Sequence, residues 1–255
     1  MSGYAELQVT SNFSFLRGGS HPEELINEAV RLELKGIALT DHNSLAGIVR
    51  AHLAAKNAAK ESKLQYIVGC RLDLAYQRSL NRDSTAKIAV LVYPTGRESY
   101  GALCRLLSLG KLRAPKGECH LEVGDFLKES RDLVCVLVPP GADAGNTEEL
   151  EFLNMAKFIK ENLPDPRLLS LAISRSYSYL DRRRLTSICQ AAEHLQIPLV
   201  VTNDVYYHAT QRRPLQRPVS CSFKTASAAL RARRRWRAFS KTCRRRSPGR
   251  SRSAR

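Results

Sequence analysis

Three segments of the 255-residue chain carry acidic or imidazole side chains where apolar runs end. "ALTDHNSLAG" supplies Asp41 and His42, "VTNDVYYH" supplies Asp204 and His208, and the opening "ELQVT" supplies Glu6. Carboxylates and imidazoles converging on one opening are the donor types for a divalent metal ion, and so for metal-assisted hydrolysis. The opening segment is incomplete for that purpose. Glu6, Gln8 and Thr10 alternate and therefore share one strand face, but an amide and a hydroxyl stand where a metal-binding strand carries imidazole.

The elements that must position these groups follow from the apolar pattern. Runs bounded by turn residues fall near 5–10, 36–40, 66–74, 87–93, 133–138, 168–174 and 198–203, giving seven strand candidates. Helical patterns lie between them. Ser20 and Glu23 form a capping box around Pro22, predicting a helix through Leu34 that closes at Gly36. Further helices are predicted over 44–60, 97–109 with Gly110 as a stop, and 147–163. A last one has Leu185, Ile188, Cys189, Ala192 and Leu195 on one face and Arg182, Arg183 and Arg184 at a solvated start. Strand and helix in alternation predict a largely parallel sheet covered by helices, in which side chains from neighbouring strand ends meet at one opening.

The net charge of +17 suggests nucleic acid, but its distribution does not. Residues 217–255 hold 14 Lys and Arg and no Asp or Glu, so residues 1–216 carry 27 basic and all 24 acidic residues, a balance of +3. That last segment lacks a period of 2 or 3.6 and is built of like-charge blocks, the composition of a disordered tail. Its Arg, Ala, Pro and Ser mixture is what GC-rich DNA yields when read in a wrong frame, so a frame slip is the expected origin and an evolved nucleic-acid-binding tail the rival. Seven scattered cysteines without CxxC pairs predict reduced thiols. No apolar run approaches the roughly 20 residues of a membrane span, and no secretory leader is legible, so a soluble cytoplasmic protein is expected.

"AELQVTSNFSFLRGGSHPEEL", "LTDHNSLAGIVRAH", "YGALCRLLSLGK", "KGECHL" and "VTNDVYYHATQRRPLQ" together resemble successive landmarks of the PHP (polymerase and histidinol phosphatase) domain at the N-terminus of bacterial error-prone C-family DNA polymerases, which are like the DNA polymerase III alpha subunit. The resemblance runs to Gln216. It implies an α/β fold, a distorted seven-stranded PHP-type β/α barrel over 1–216, followed by the basic tail over 217–255. It also implies a polymerase core in the intact chain as partner, DNA through that core, and accessory mutagenesis proteins.

The resemblance further implies a metal pattern, which this chain keeps only in part. The family's D-x-H-x-H strand falls on Glu6, Gln8 and Thr10, its T-D-H on Asp41 and His42, and its Gly-x-Glu on Gly69, Cys70 and Arg71, with Asp73 close by. A family histidine falls near Ser174 and the closing D-x-H on Asp204 and Tyr206. A guanidinium at Arg71 repels a divalent cation by several kcal/mol at an effective dielectric constant of about 20 and a separation of about 5 Å. Arg71 is expected instead to neutralise Asp41 or Asp204. No cofactor is therefore expected, and Asp41, His42 and Asp204 leave room only for a weak divalent site for Zn, Mn or Mg.

Two function classes remain. One is a non-catalytic PHP scaffold of an error-prone (translesion) polymerase, a fragment inactive alone because nucleotidyl transfer is done elsewhere in the intact enzyme. The other is a metal-dependent phosphoesterase or 3′ to 5′ exonuclease, which the missing histidines disfavour. Lys111, Arg113 and Lys116 in "GKLRAPKGECHL" are candidate contacts to nucleic acid or to the polymerase core. Gly110 and Lys111 do not form a phosphate loop, since Arg105 stands where its first glycine belongs.

Overall fold

The computed structural model describes residues 3–60, 62–77, 85–141, 144–175 and 179–215. Nine strands and six α-helices alternate through them: β1 (Ala5–Val9), α1 (Pro22–Arg31), β2 (Gly36–Leu39), α2 (Ile48–Ala58), β3 (Gln65–Val68), β4 (Cys70–Gln77), β5 (Thr85–Pro94), α3 (Arg97–Leu112), β6 (Leu121–Glu122), α4 (Val123–Glu129), β7 (Leu133–Val138), α5 (Asn146–Asn162), β8 (Leu169–Ile173), α6 (Asp181–Leu195) and β9 (Leu199–Val201). The strands form a parallel sheet β1-β2-β3 and a mixed sheet β6-β4-β5-β7-β8-β9, in which β5 runs antiparallel to both β4 and β7.

The α/β class agrees with the pattern of apolar runs; among the described residues no closed seven-stranded barrel is seen. Two sheets are present, joined among the described residues by the single-residue bridges Val9 to Val205 and His42 to Arg71. The apolar run over 66–74 breaks in two at Gly69, where a Cβ would lie 2.9 Å from the Tyr93 ring, so the chain bends between sheets at the one residue that fits there. The segment β6-α4 was not legible as regular structure. Its strand is only two residues long, too short for a period to register.

Helix boundaries differ from the predicted ones for identifiable reasons. His21, not Ser20, caps α1, and its backbone N–H donates to Glu24 Oε2 at 2.9 Å. Ser20 Oγ is instead engaged by the backbone N–H of His208 at 2.9 Å. The helix ends at Arg31 because Glu33 adopts a left-handed backbone, φ 52°. Gly110 does not stop α3, which runs on to Leu112. A Cβ on it would lie 2.6 Å from Leu121 Cγ and 2.7 Å from Cys119 Sγ, so it is a point of close approach to β6.

Burial explains the layering. The six-residue run of β7 is apolar throughout because both of its faces are covered. Its outer face joins Leu103, Leu106, Phe126, Phe152, Ile159 and Ile188 from α3 to α6 in the largest core cluster. Leu25, Ile26, Ala51 and Ala55 seat α1 and α2 on the parallel sheet. Between the sheets lies a smaller layer, with Ala38, Leu91, Tyr93, Val136 and Ala172 packed on Leu7, Ile67 and Val200. Tyr93 Oη closes it by donating to the Leu7 carbonyl at 2.6 Å. The polar strand ends sit at the rim of this inner layer. The basic segment expected to be disordered, residues 217–255, lies outside the described residues.

Candidate functional site

β1 and the segment after β9 meet edge to edge, and that contact organises the site. Val205 N–H donates to the Gln8 carbonyl at 2.9 Å and Thr10 N–H to the Val205 carbonyl at 2.8 Å. The alternation of β1 then turns Glu6, Gln8 and Thr10 inward together, all three buried. Glu6 accepts four hydrogen bonds: Tyr4 Oη at 2.8 Å, Gln8 N–H at 3.0 Å, Asn203 Nδ2 at 2.7 Å and Asn203 N–H at 3.3 Å. Burial raises its pKa, and these bonds oppose the rise without cancelling it.

Gln8 is used at both ends of its amide. Nε2 donates to Asp204 Oδ1 at 2.8 Å, and Oε1 accepts from Thr202 Oγ1 at 2.8 Å. Asp204 also accepts from Tyr206 Oη at 3.0 Å. Its backbone is left-handed, φ 51°, a conformation costly for a non-glycine residue and common where a side chain is held to a task.

Asp41 lies apart from this group. It accepts from Ser11 N–H at 2.8 Å, Ser11 Oγ at 2.7 Å and Ser14 Oγ at 2.6 Å, all from the loop after β1. Burial nonetheless pushes its carboxyl above the usual range. His42 Nδ1 lies 3.1 Å from Asp73 Oδ2, and Arg71 Nε lies 3.3 Å from Asp73 Oδ1. Burial alone would raise the Asp73 pKa, but the His42 hydrogen bond and the Arg71 charge hold it far below the carboxylate range. Burial lowers the His42 pKa, and Arg71 adds to the effect. A neutral His42 donates its Nδ1–H to an ionised Asp73, and among the described residues its buried Nε2 has no partner.

The expected ion pair is thus redrawn. Arg71 pairs with Asp73 rather than with Asp41, whose oxygens are taken by two serines. Asp204 acts on Arg71 through its field: burial disfavours the guanidinium charge, and Tyr206, Asp204 and Asp73 more than offset that. A second cation enters from a helix start whose composition reads as solvated. Arg184 is 9% exposed and donates from Nε to the Pro140 carbonyl at 3.2 Å and from Nη1 to the Ser174 carbonyl at 3.0 Å.

Tyr4, Ser11, Ser14, Thr202, Asn203 and Arg184 belong to no motif that marks them in the sequence. Thr202 and Asn203, inside "VTND", and Ser11 and Ser14, inside "AELQVTSNFSFLRGG", have a signal only in their neighbourhood. Lys111, Arg113 and Lys116 lie away from the strand ends, around the end of α3. There Arg113 is engaged by Asp125, which leaves Lys111 and Lys116 exposed. Among the described residues no group of three or more His, Cys, Asp or Glu is disposed to hold a metal ion.

Comparison with known proteins accounts for this geometry. The family model for the PHP domain matches residues 6–163, more than half of the chain. The chain belongs to the PHP domain family. Within it, error-prone DNA polymerases are similar: that of Caulobacter vibrioides is 43% identical over 218 residues, covering 86% of this chain and 18% of that protein. That of Brucella abortus is 42% identical over 217 residues, covering 85% and 19%. This PHP chain is homologous to their N-terminal region and spans about a fifth of their length. Among solved structures, an amidohydrolase from Chromobacterium violaceum, with bound sulfate and no metal, superposes with a TM-score of 0.57 at 14% identity, covering 80% of this chain and 87% of that one. A protein described as a metal-dependent phosphoesterase from Bifidobacterium adolescentis superposes at 0.53 and 13%, covering 80% and 88%. At those identities the likeness is one of fold.

Proposed function

We propose that this chain is the non-catalytic PHP platform of an error-prone, translesion DNA polymerase, with nucleotidyl transfer done by a polymerase core in the longer polypeptide. The observation that carries the reading is the largely buried Arg71–Asp73–His42 group: a fixed guanidinium takes the place of a cation among the strand-end acids. The remaining donors are spent. Glu6 and Asp41 accept four and three hydrogen bonds, and Gln8 is tied to Asp204 and Thr202. Of the family's ligand positions only His42 Nε2 is a buried nitrogen with an open valence. One imidazole beside a guanidinium does not fit a catalytic metal centre, which needs at least three protein ligands and an open position. The residues are thus unsuited to the family's metal, and the strand-end group holds the fold together rather than hydrolysing a phosphate ester.

The partners that follow are the polymerase core and, through it, DNA and accessory mutagenesis proteins; the setting is the cytoplasm. No described helix is long and apolar enough to cross a membrane. We assign the PHP unit to residues 1–216 and treat 217–255 as an addition that binds nucleic acid only through charge.

Elemental analysis of purified protein, with assays on 3′-terminal nucleotides and on simple phosphate esters, tests the scaffold reading. The expected result is sub-stoichiometric zinc and manganese and no cleavage. Stoichiometric metal together with cleavage abolished by Asp41→Asn would overturn it in favour of the phosphoesterase. For the domain assignment, a chain ending at residue 216 should melt like the whole chain and lose its salt-sensitive DNA binding.

A further inference from the structure

We propose that the groove between α1 and α2 is a docking site for an acidic amphipathic helix of a partner protein. The groove lies apart from the strand-end cavity and works the same way whether or not that cavity holds a metal. It has a volume of about 550 Å³ and is lined by Val30, Leu53, Ala54 and Ala58 and by the mutually paired Glu23 and Arg50. On the outer surface of α2, Val49, Leu53 and Lys56 stand at i, i+4 and i+7 and so form one stripe, with the exposed Lys60 in the turn just past the helix end. Val49 is 67% exposed and Leu53 55%, although both lie on a helix whose other face is packed. The stripe is apolar at its start and cationic at its end.

Charge decides the kind of occupant. Residues 42–60 contain no Asp or Glu. The three acids of the facing helix are neutralised within the chain, Glu23 by Arg50 at 2.5 Å, Glu24 by Arg212 and Glu28 by Arg31 at 2.6 Å. Lys56 and Lys60 form no ion pair with any described residue. Two apolar side chains one turn apart, next to two unpaired ammonium groups, match a helix that carries aliphatic residues at i and i+3 or i+4 and carboxylates beyond them. Ala54 and Ala58 end at Cβ, so such a helix can lay its apolar side chains close against α2.

Other occupants fit less well. Duplex DNA would leave Val49 and Leu53 against phosphates, desolvating charge without compensation. A second copy related by a twofold axis would set the Lys56 and Lys60 stripe against its own image, since an isologous contact repeats the same patch on both sides.

The test uses the whole chain and a fluorescent model helix of about 18 residues, five turns, with Leu on one face and Glu on the other. A counterpart carrying Lys for Glu and a random-sequence DNA duplex serve as comparisons. We expect saturable binding of the Glu peptide, weakened about tenfold or more by Leu53→Asp and by the pair Lys56→Glu and Lys60→Glu, with no binding of the Lys peptide. All the substituted positions are exposed, and unchanged thermal melting checks that each variant is folded. Binding that survives Leu53→Asp belongs to the basic residues beyond 216 and overturns the proposal. So does absent or equal binding of the two peptides, DNA binding lost in these variants, or a dimer in sedimentation that Leu53→Asp dissociates.

Discussion

Gln8 Nε2 donates to Asp204 Oδ1 at 2.8 Å and so joins two residues 196 positions apart. The same amide accepts from Thr202, so one side chain closes β1 onto the segment after β9. Gln8→Leu, close in volume, would leave the Thr202 hydroxyl without this acceptor and one Asp204 oxygen without this donor. A loss of about 1–3 kcal/mol is expected in urea unfolding. A loss under about 0.5 kcal/mol, the usual surface value, would show that the amide is not holding the two segments together.

Arg71 and Asp73 are each about one-fifth exposed at the side chain, with relative exposures of 18% and 20%. Removing one partner of a largely buried pair leaves the other charge uncompensated, so Arg71→Ala should cost about 3 kcal/mol. The double change Arg71→Met with Asp73→Leu should cost clearly less, because no orphaned charge remains. Chemical unfolding of both variants gives the comparison, and equal losses would mean that the pair is not electrostatically coupled.

His42 makes the fold sensitive to mild acid. Its folded-state pKa is lowered from an unfolded value of about 6.5, so below that value the unfolded chain binds the extra proton. The contribution is whole above about pH 6.5 and is lost as pH falls towards the folded-state pKa. Asp73, also depressed, acts in the same direction at lower pH: its contribution is present above the unfolded value of about 3.9 and lost as pH falls through the folded one. The stability of His42→Gln should therefore fall less steeply between pH 6.5 and 5, by up to about 1.4 kcal/mol per pH unit. Unfolding curves at half-unit steps, taken as differences between the two proteins, cancel the opposite trends of Glu6 and Asp41, whose pKa values are raised.

Gly110 and Gly101 both lie in α3 and should respond oppositely to alanine. At Gly101 a new Cβ meets only Arg105 Nη1 at 3.7 Å, so the gain in helix propensity, up to about 1 kcal/mol, should appear as stabilisation. At Gly110 the same gain is opposed by contacts of 2.6 and 2.7 Å to Leu121 and Cys119, and overpacking of that kind costs about 1–3 kcal/mol. Net destabilisation is expected for Gly110→Ala in thermal or urea unfolding. Stabilisation at both sites would return Gly110 to the role of an ordinary helix residue.

The sequence by itself determined the α/β alternation, most strand positions, and the three strand ends that carry the polar group, because each is written in a local period or in a short motif. "GIAL" and "LVCVLV" became strands, and Asp41, His42 and Asp204 came to the rim of the inner layer. Membership of the PHP family was also legible, since its motifs are contiguous runs. The tertiary structure alone decided who pairs with whom. Arg71 and Asp73, two apart on β4, share a face by the strand's own period, but His42 joins them only because the β3-β4 bend at Gly69 brings the start of β4 beside it, while Ser11 and Ser14 reach Asp41 first. Arg184, in a run of three arginines that reads as solvated, is turned inward by the phase of α6 to the carbonyls of Pro140 and Ser174. The strand order of the second sheet, in which β5 lies between β4 and β7 and runs antiparallel to both, was likewise a matter of long-range pairing. Such pairings depend on distances between residues far apart in the chain, and no local period records them.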